Sequence, residues 1–142
     1  MQIAMIGAGY VGLVTGACFS EFGANVTCVD KDVNKISTLK EGKIPIFEPG
    51  LEALVQSNVQ SNRLTFTTDL KTAVEKADAV FIAVGTPSRR GDGHADLSFV
   101  FSAAEEIAHA MSNYTLIVTK STVPVGAGRQ VAERIRRICP EA

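Results

Sequence analysis

Ile3-Ala4-Met5-Ile6-Gly7-Ala8-Gly9-Tyr10-Val11-Gly12 is the stretch that decides the fold of this chain. An apolar run ends in Gly-x-Gly-x-x-Gly, and a second apolar run, Asn25–Asp30, closes on a carboxylate. Gly7 allows a tight turn off the first strand. Gly9 removes the Cβ that would stand between the backbone and a pyrophosphate, and Gly12 lets the following helix approach the sheet. That helix continues through Leu13–Phe19 with small residues on a close-packed face. Its first turn points unpaired N–H groups and the positive end of its dipole at an anion. Gly23 stands where the helix should stop.

Asp30 follows the glycines at close to the ~20-residue spacing that brings a carboxylate to the adenosine ribose of a dinucleotide. The alternative is that Asp30 or Asp32 merely N-caps the next helix. An acid here selects NAD over NADP, because it repels a 2′-phosphate. Lys31 and Lys35 temper that selection without reversing it.

The composition fits one soluble globular domain: 142 residues, 46% hydrophobic and 20% charged, with a formal net charge of −1. That charge gives no reason to invoke nucleic acid or an anionic membrane, and Arg134, Arg136 and Arg137 read as the solvated face of a last helix. The apolar N-terminus lacks a basic leading region and is broken by four glycines, so it reads as strand and turn, not as a signal peptide. No run approaches a membrane span. The cysteines, Cys18, Cys28 and Cys139, have no metal-ligand spacing, and no metal is expected. Cys18 and Cys28 read as small buried hydrophobes. A reducing cytoplasm is the expected location.

Strands and helices alternate along the chain, which predicts an α/β fold with a doubly wound parallel sheet. Helices are expected over Asp32–Leu39, Leu51–Gln60 and from Asp69 to about Glu75. Further helices should run over Leu97–Met111 with Asp96 as N-cap, and up to about Ile138. Strands are expected at Leu64–Thr67, at Ala79–Val84 and at Tyr114–Thr119. The segments Gly7–Gly12, Asp30, Val84–Ser88 and Ser121–Val123 follow strand carboxyl ends and should line one crevice where the strand order reverses.

Together these segments resemble the UDP-glucose/GDP-mannose dehydrogenase family over essentially the whole chain. The resemblance rests on Gly7–Gly12, Asp30 with Lys35, Phe47-Glu48-Pro49-Gly50-Leu51 and Val84-Gly85-Thr86-Pro87. It continues through Gly91-Asp92-Gly93 with Asp96-Leu97, and Lys120-Ser121-Thr122-Val123-Pro124-Val125-Gly126. It implies a Rossmann-type N-terminal NAD-binding domain spanning 1–142, a fragment of a longer enzyme, with strand order 3-2-1-4-5 and the family's sixth strand missing. Tyr114–Thr119 would then be an open edge, and the chain would self-associate through it or through apolar surface that the missing strand normally hides, or else be only marginally soluble.

The resemblance also implies roles. Gly7, Ala8, Gly9, Tyr10, Val11 and Gly12 would hold the pyrophosphate. Asp30 would hold the adenosine ribose with Lys35 beside it, and Val84, Gly85, Thr86 and Pro87 would form the cofactor wall. Val123 would meet the nicotinamide half. Thr122 would order a water at the reacting centre; its alternative is a strand-end hydroxyl satisfying a backbone group. Glu48 reads first as a cap of the helix starting near Leu51, and only second as catalytic.

The longer enzyme would oxidise the C6 alcohol of a nucleotide sugar to a carboxylate with two NAD through a thioester. The cysteine nucleophile, lysine, asparagine and carboxylates that this needs would lie beyond residue 142, so the chain alone would not turn over. Cys139, before Pro140 at a helix end, lacks the glycine-rich context of that nucleophile. His94 reads as a loop residue and His109 as a helix-surface residue. The Lys120–Gly126 segment is closer to the UDP-glucose branch, which makes UDP-glucuronate. The alternatives are a GDP-mannose or UDP-N-acetylmannosamine dehydrogenase domain, or a stand-alone NAD-binding sensor.

Overall fold

The computed structural model describes residues 1–89, 91 and 93–140. The chain runs β1 (Gln2–Ile6), α1 (Tyr10–Glu21), β2 (Asn25–Val29), α2 (Val33–Lys40), α3 (Leu51–Gln60) and β3 (Leu64–Thr67). It continues with α4 (Leu70–Glu75), β4 (Ala79–Ile82), α5 (Ser98–Ala110), β5 (Leu116–Thr119) and α6 (Ala127–Ile138). The strands form one five-stranded sheet in the order β3-β2-β1-β4-β5, every pair parallel. The expected doubly wound order is therefore the observed one.

Strand alternation builds a core on each face, because successive side chains of a strand point to opposite sides. Ile3 and Met5 of β1 join Val26 and Cys28 of β2 and Leu64 and Phe66 of β3 under α1, α2 and α3. Ala4 and Ile6 of β1 join Val80 and Ile82 of β4 under α4, α5 and α6. Phe81 faces the first core and meets Phe19 of α1 at a centroid distance of 5.1 Å.

The helix signals act as the sequence implies. Asp32 accepts from the N–H groups of Asn34 and Lys35 and caps α2; Asp69 accepts from Thr72 N and caps α4. Gly23 takes φ +94° just past α1. Asp96 departs from this: the cap residue of α5 is Leu97, which has no side-chain cap, and Asp96, one residue further out, accepts from Ser98 N at 2.9 Å. Three strands are shorter than expected. β2 stops at Val29, one residue before Asp30; β4 stops at Ile82, releasing Ala83 and Val84; β5 begins at Leu116, with Tyr114 and Thr115 still in the approach. At β2 and β4 the residues just past the ladder, Asp30, Ala83 and Val84, line a cleft over the carboxyl edge of the sheet.

Cys28 is fully buried under α1, and burial pushes its thiol up to about 12. The group stays protonated in the folded chain, so it should resist a thiolate-directed reagent at pH 8. Titration of native against denatured protein should find a thiol that reacts only on unfolding. Because its folded pKa is raised, the stability linked to Cys28 is full below the ordinary thiol value of 9.0 and declines as pH rises towards 12.

Candidate functional site

The order of the sheet reverses between β1 and β4, and a cleft of about 530 Å³ opens over the carboxyl ends of β1, β2 and β4. Ligands of open α/β sheets bind at such a reversal. Gly7 leaves β1 with φ +104°, and a Cβ there would stand 2.6 Å from the Ala83 carbonyl oxygen. At Gly12 a Cβ would fall 1.8 Å from the Gly7 carbonyl oxygen and 3.3 Å from Ala83 Cβ. Only glycine lets α1 close against the turn and β4 in this way. Gly9 differs, since a Cβ there would meet nothing within 4 Å. Its open face borders the cleft, as an approaching phosphate requires. α1 starts from Gly9 with no side-chain cap and no acid in its first turn, unlike the Asp-capped α2 and α4. The N–H groups at that end remain available to an anion.

Asp30 forms the far wall. Its Oδ2 accepts from Ala8 N at 2.9 Å and from Lys35 Nζ at 2.8 Å, and its Oδ1 accepts from Asp32 N at 3.0 Å. Burial alone would raise this carboxyl, but the Lys35 ammonium and the two N–H donors outweigh it and hold Asp30 below its ordinary value. The acid therefore stays ionised while clamping the glycine turn to the end of β2. The capping alternative belongs to Asp32, and Asp30 is free of that duty.

Of the residues expected at a cofactor, Gly7, Gly9, Asp30, Lys35, Val84, Gly85 and Pro87 line this cleft. Gly12 and Ala8 stand behind the wall, the first in packing and the second as donor to Asp30. Tyr10 and Val11, exposed on the first turn of α1, and half-buried Thr86 lie outside it. The segment after β5 is stapled to β4: Lys120 N and Ser121 N both donate to Ile82 O, and the Ser121 hydroxyl donates to Val84 O at 2.7 Å. Ser121 thus performs the backbone-satisfying task considered for Thr122. Thr122 is exposed, Val123 packs on the second core, and neither lines the cleft.

Glu48 corrects its expectation. α3 begins from Gly50, in a left-handed conformation at φ +81°, with no side-chain cap. The Glu48 carboxylate instead accepts from the Tyr10 hydroxyl at the start of α1 and holds that phenol above its ordinary value. Phe99, Ser102 and Glu106 of α5 line the cleft without having been anticipated. Their helical spacing puts them on one face, a signal present in the sequence, but the spacing does not say what that face meets. Glu106 Oε1 lies 2.6 Å from Lys31 Nζ and also accepts from the Ser102 hydroxyl. Burial opposes its charge, yet these partners draw the Glu106 carboxyl below its ordinary value.

Residues 1–141 match the family described as UDP-glucose/GDP-mannose dehydrogenase family, NAD binding domain. The chain belongs to this family. It is 67% identical over its whole length to a UDP-glucose 6-dehydrogenase from Rhizobium meliloti (strain 1021), of which it covers 32%. Among solved structures, the GDP-mannose dehydrogenase of Pseudomonas aeruginosa in a ternary complex superposes with TM-score 0.92 at 42% identity, over 97% of this chain and 32% of that one. A UDP-D-ManNAc dehydrogenase from Pyrococcus horikoshii gives TM-score 0.92 at 27% identity, over 99% and 33% respectively. The chain thus spans about a third of the length of these relatives. NAD is the cofactor of this family domain, and the open Gly9, uncapped α1 and ionised Asp30 fit its pyrophosphate and ribose. Among the described residues no cluster of His, Cys, Asp or Glu could hold a metal ion, and no helix is long and apolar enough to cross a membrane.

Proposed function

We propose that this chain is the NAD-binding domain, over 1–142, of an enzyme oxidising UDP-glucose to UDP-glucuronate with two NAD. The observation that carries the reading is the cleft at the β1/β4 reversal, where Gly9, the open end of α1 and Asp30 border one space. The turn and α1 take the pyrophosphate, with Ala8, Tyr10, Val11 and Gly12 contributing position. Asp30 and Lys35 take the adenosine ribose, and Val84–Pro87 form the wall. Bound NAD supplies the hydride acceptor; the residues of this chain bind and orient it.

Thr122 and Val123 are assigned to the nicotinamide end. Support comes from the exposed Thr122 hydroxyl, which has no hydrogen-bond partner among the described residues. None of the three cysteines borders the cleft, so the thioester step needs a nucleophile from elsewhere in the enzyme. The assigned chemistry predicts that the 142-residue chain binds NAD but forms no NADH with any nucleotide sugar. Turnover surviving repurification would overturn that assignment. Assay of the enzyme containing this domain on UDP-glucose, GDP-mannose and UDP-N-acetylmannosamine tests the substrate. The 67% identity to a UDP-glucose 6-dehydrogenase favours the first, while the two superposing structures keep the others as the second reading.

The same proposal assigns self-association to the outer edge of β5. That strand pairs with β4 alone among the described strands, and its Leu116 is 52% exposed. Light scattering over a concentration series should show a mass above the monomer that falls on dilution. A constant monomer mass would refute it.

A further inference from the structure

A 2′-phosphate on the adenosine ribose is held by cations standing beside that sugar. This chain places two lysines there, Lys31 and Lys35, both on the cleft wall. Each is committed to a carboxylate. Lys35 Nζ lies 2.8 Å from Asp30, and Lys31 Nζ lies 2.6 Å from Glu106 Oε1. Ser102, one turn earlier on α5, donates its hydroxyl to the same Glu106 oxygen at 3.0 Å and sets the direction of that carboxylate. Among the described residues of the cleft wall there is no third cation. The Lys31 side chain is 78% exposed, so Glu106 is what fixes its ammonium; on a flexible four-carbon stem it would otherwise be free to swing over the ribose.

We infer that Glu106 is a cofactor-specificity residue that acts through Lys31. By drawing Lys31 across to α5, it denies a 2′-phosphate its cation. The selection for NAD is thus shared between an acid at the end of β2 and an acid on a helix of a distant part of the chain. Glu106 positions; it need not touch the cofactor. This inference rests on the reading of the cleft as the NAD site.

Calorimetric titration of the 1–142 chain with NAD and with NADP tests it, comparing wild type, Glu106→Gln, Glu106→Asp, Lys31→Met and the Lys31→Met/Glu106→Gln pair. Glu106→Gln should move the NADP-to-NAD affinity ratio about three- to tenfold towards NADP, the scale of an exposed charge-assisted pair. Glu106→Asp, which keeps the charge, should retain most of the wild-type preference. In the Lys31→Met background the effect of Glu106→Gln should collapse to about twofold or less. In wild-type Lys31, it should shrink when salt screens the pair. An unmoved ratio overturns the inference, and so does an equal shift with and without Lys31, which would make Glu106 a simple repelling charge. Wild type binding neither nucleotide would instead overturn the NAD-site reading beneath it.

Discussion

Gly12→Ala should destabilise the chain by about 3 kcal/mol or more and abolish NAD binding, whereas Gly9→Ala should leave the fold in place and lose the binding alone. The contrast follows from what a methyl group meets at each position. At Gly12 it would lie 1.8 Å from the Gly7 carbonyl oxygen, a backbone atom held by the turn and unable to step aside. Relief requires α1 to lift off the sheet, at the upper end of overpacking costs. At Gly9 the methyl meets no protein atom within 4 Å, and φ is an ordinary −79°. Its effect on stability is that of a changed N-cap, about 1 kcal/mol or less. What it occupies is the space a pyrophosphate needs. Thermal or urea unfolding with NAD titration reads both quantities. An unfolded Gly9→Ala, or a stable and binding-competent Gly12→Ala, would contradict this assignment.

Asp30→Ala should weaken NAD binding by about 10- to 150-fold, the loss of one charge-assisted hydrogen-bonding group worth roughly 1.5–3 kcal/mol. It should also narrow the preference over NADP, since the repelling charge goes with it. The side chain is 15% exposed and holds Ala8 N, Asp32 N and Lys35 together, so the substitution also loosens the glycine turn. Equal or stronger binding of NADP by the wild type would sink the assignment. The same carboxylate has a pH signature. Its folded pKa is lowered, so its contribution to stability is complete above the unfolded value of about 3.9 and is lost as pH falls through the folded one. Unfolding measured from pH 6 down to pH 2 should show wild type losing stability below about pH 4 by more than Asp30→Ala does.

Much of the molecule was legible because the information is local. Leu51–Gln60 and Leu64–Thr67 appear where periodicity put them, and Asp32 and Asp69 cap the helices that follow them. Glycines after an apolar run permit few backbone paths, so the turn and the helix that leaves it could be read from one stretch. Asp30 was legible because its distance from the turn along the chain is set by one helix and one strand. Strand ends were less so: β4 stops at Ile82 although Ala83 and Val84 are as apolar as the residues before them. Where a ladder ends depends on its neighbours, not on the strand itself.

What the sequence determined by itself was the order of elements, the parallel doubly wound class, the glycine turn and the acid that stands just past the second strand. Each is dictated by steric limits and spacing within a few dozen residues. Tertiary structure alone decided that the Glu48 side chain meets Tyr10 and does not cap α3, and that Ser121 does the backbone-satisfying work considered for Thr122. It also decided that Glu106 reaches Lys31 across 75 positions of sequence. These pairings join side chains whose meeting depends on how separate helices and strands stack on the sheet. Periodicity says which face of an element is polar, and only the packed fold says which charge that face will find.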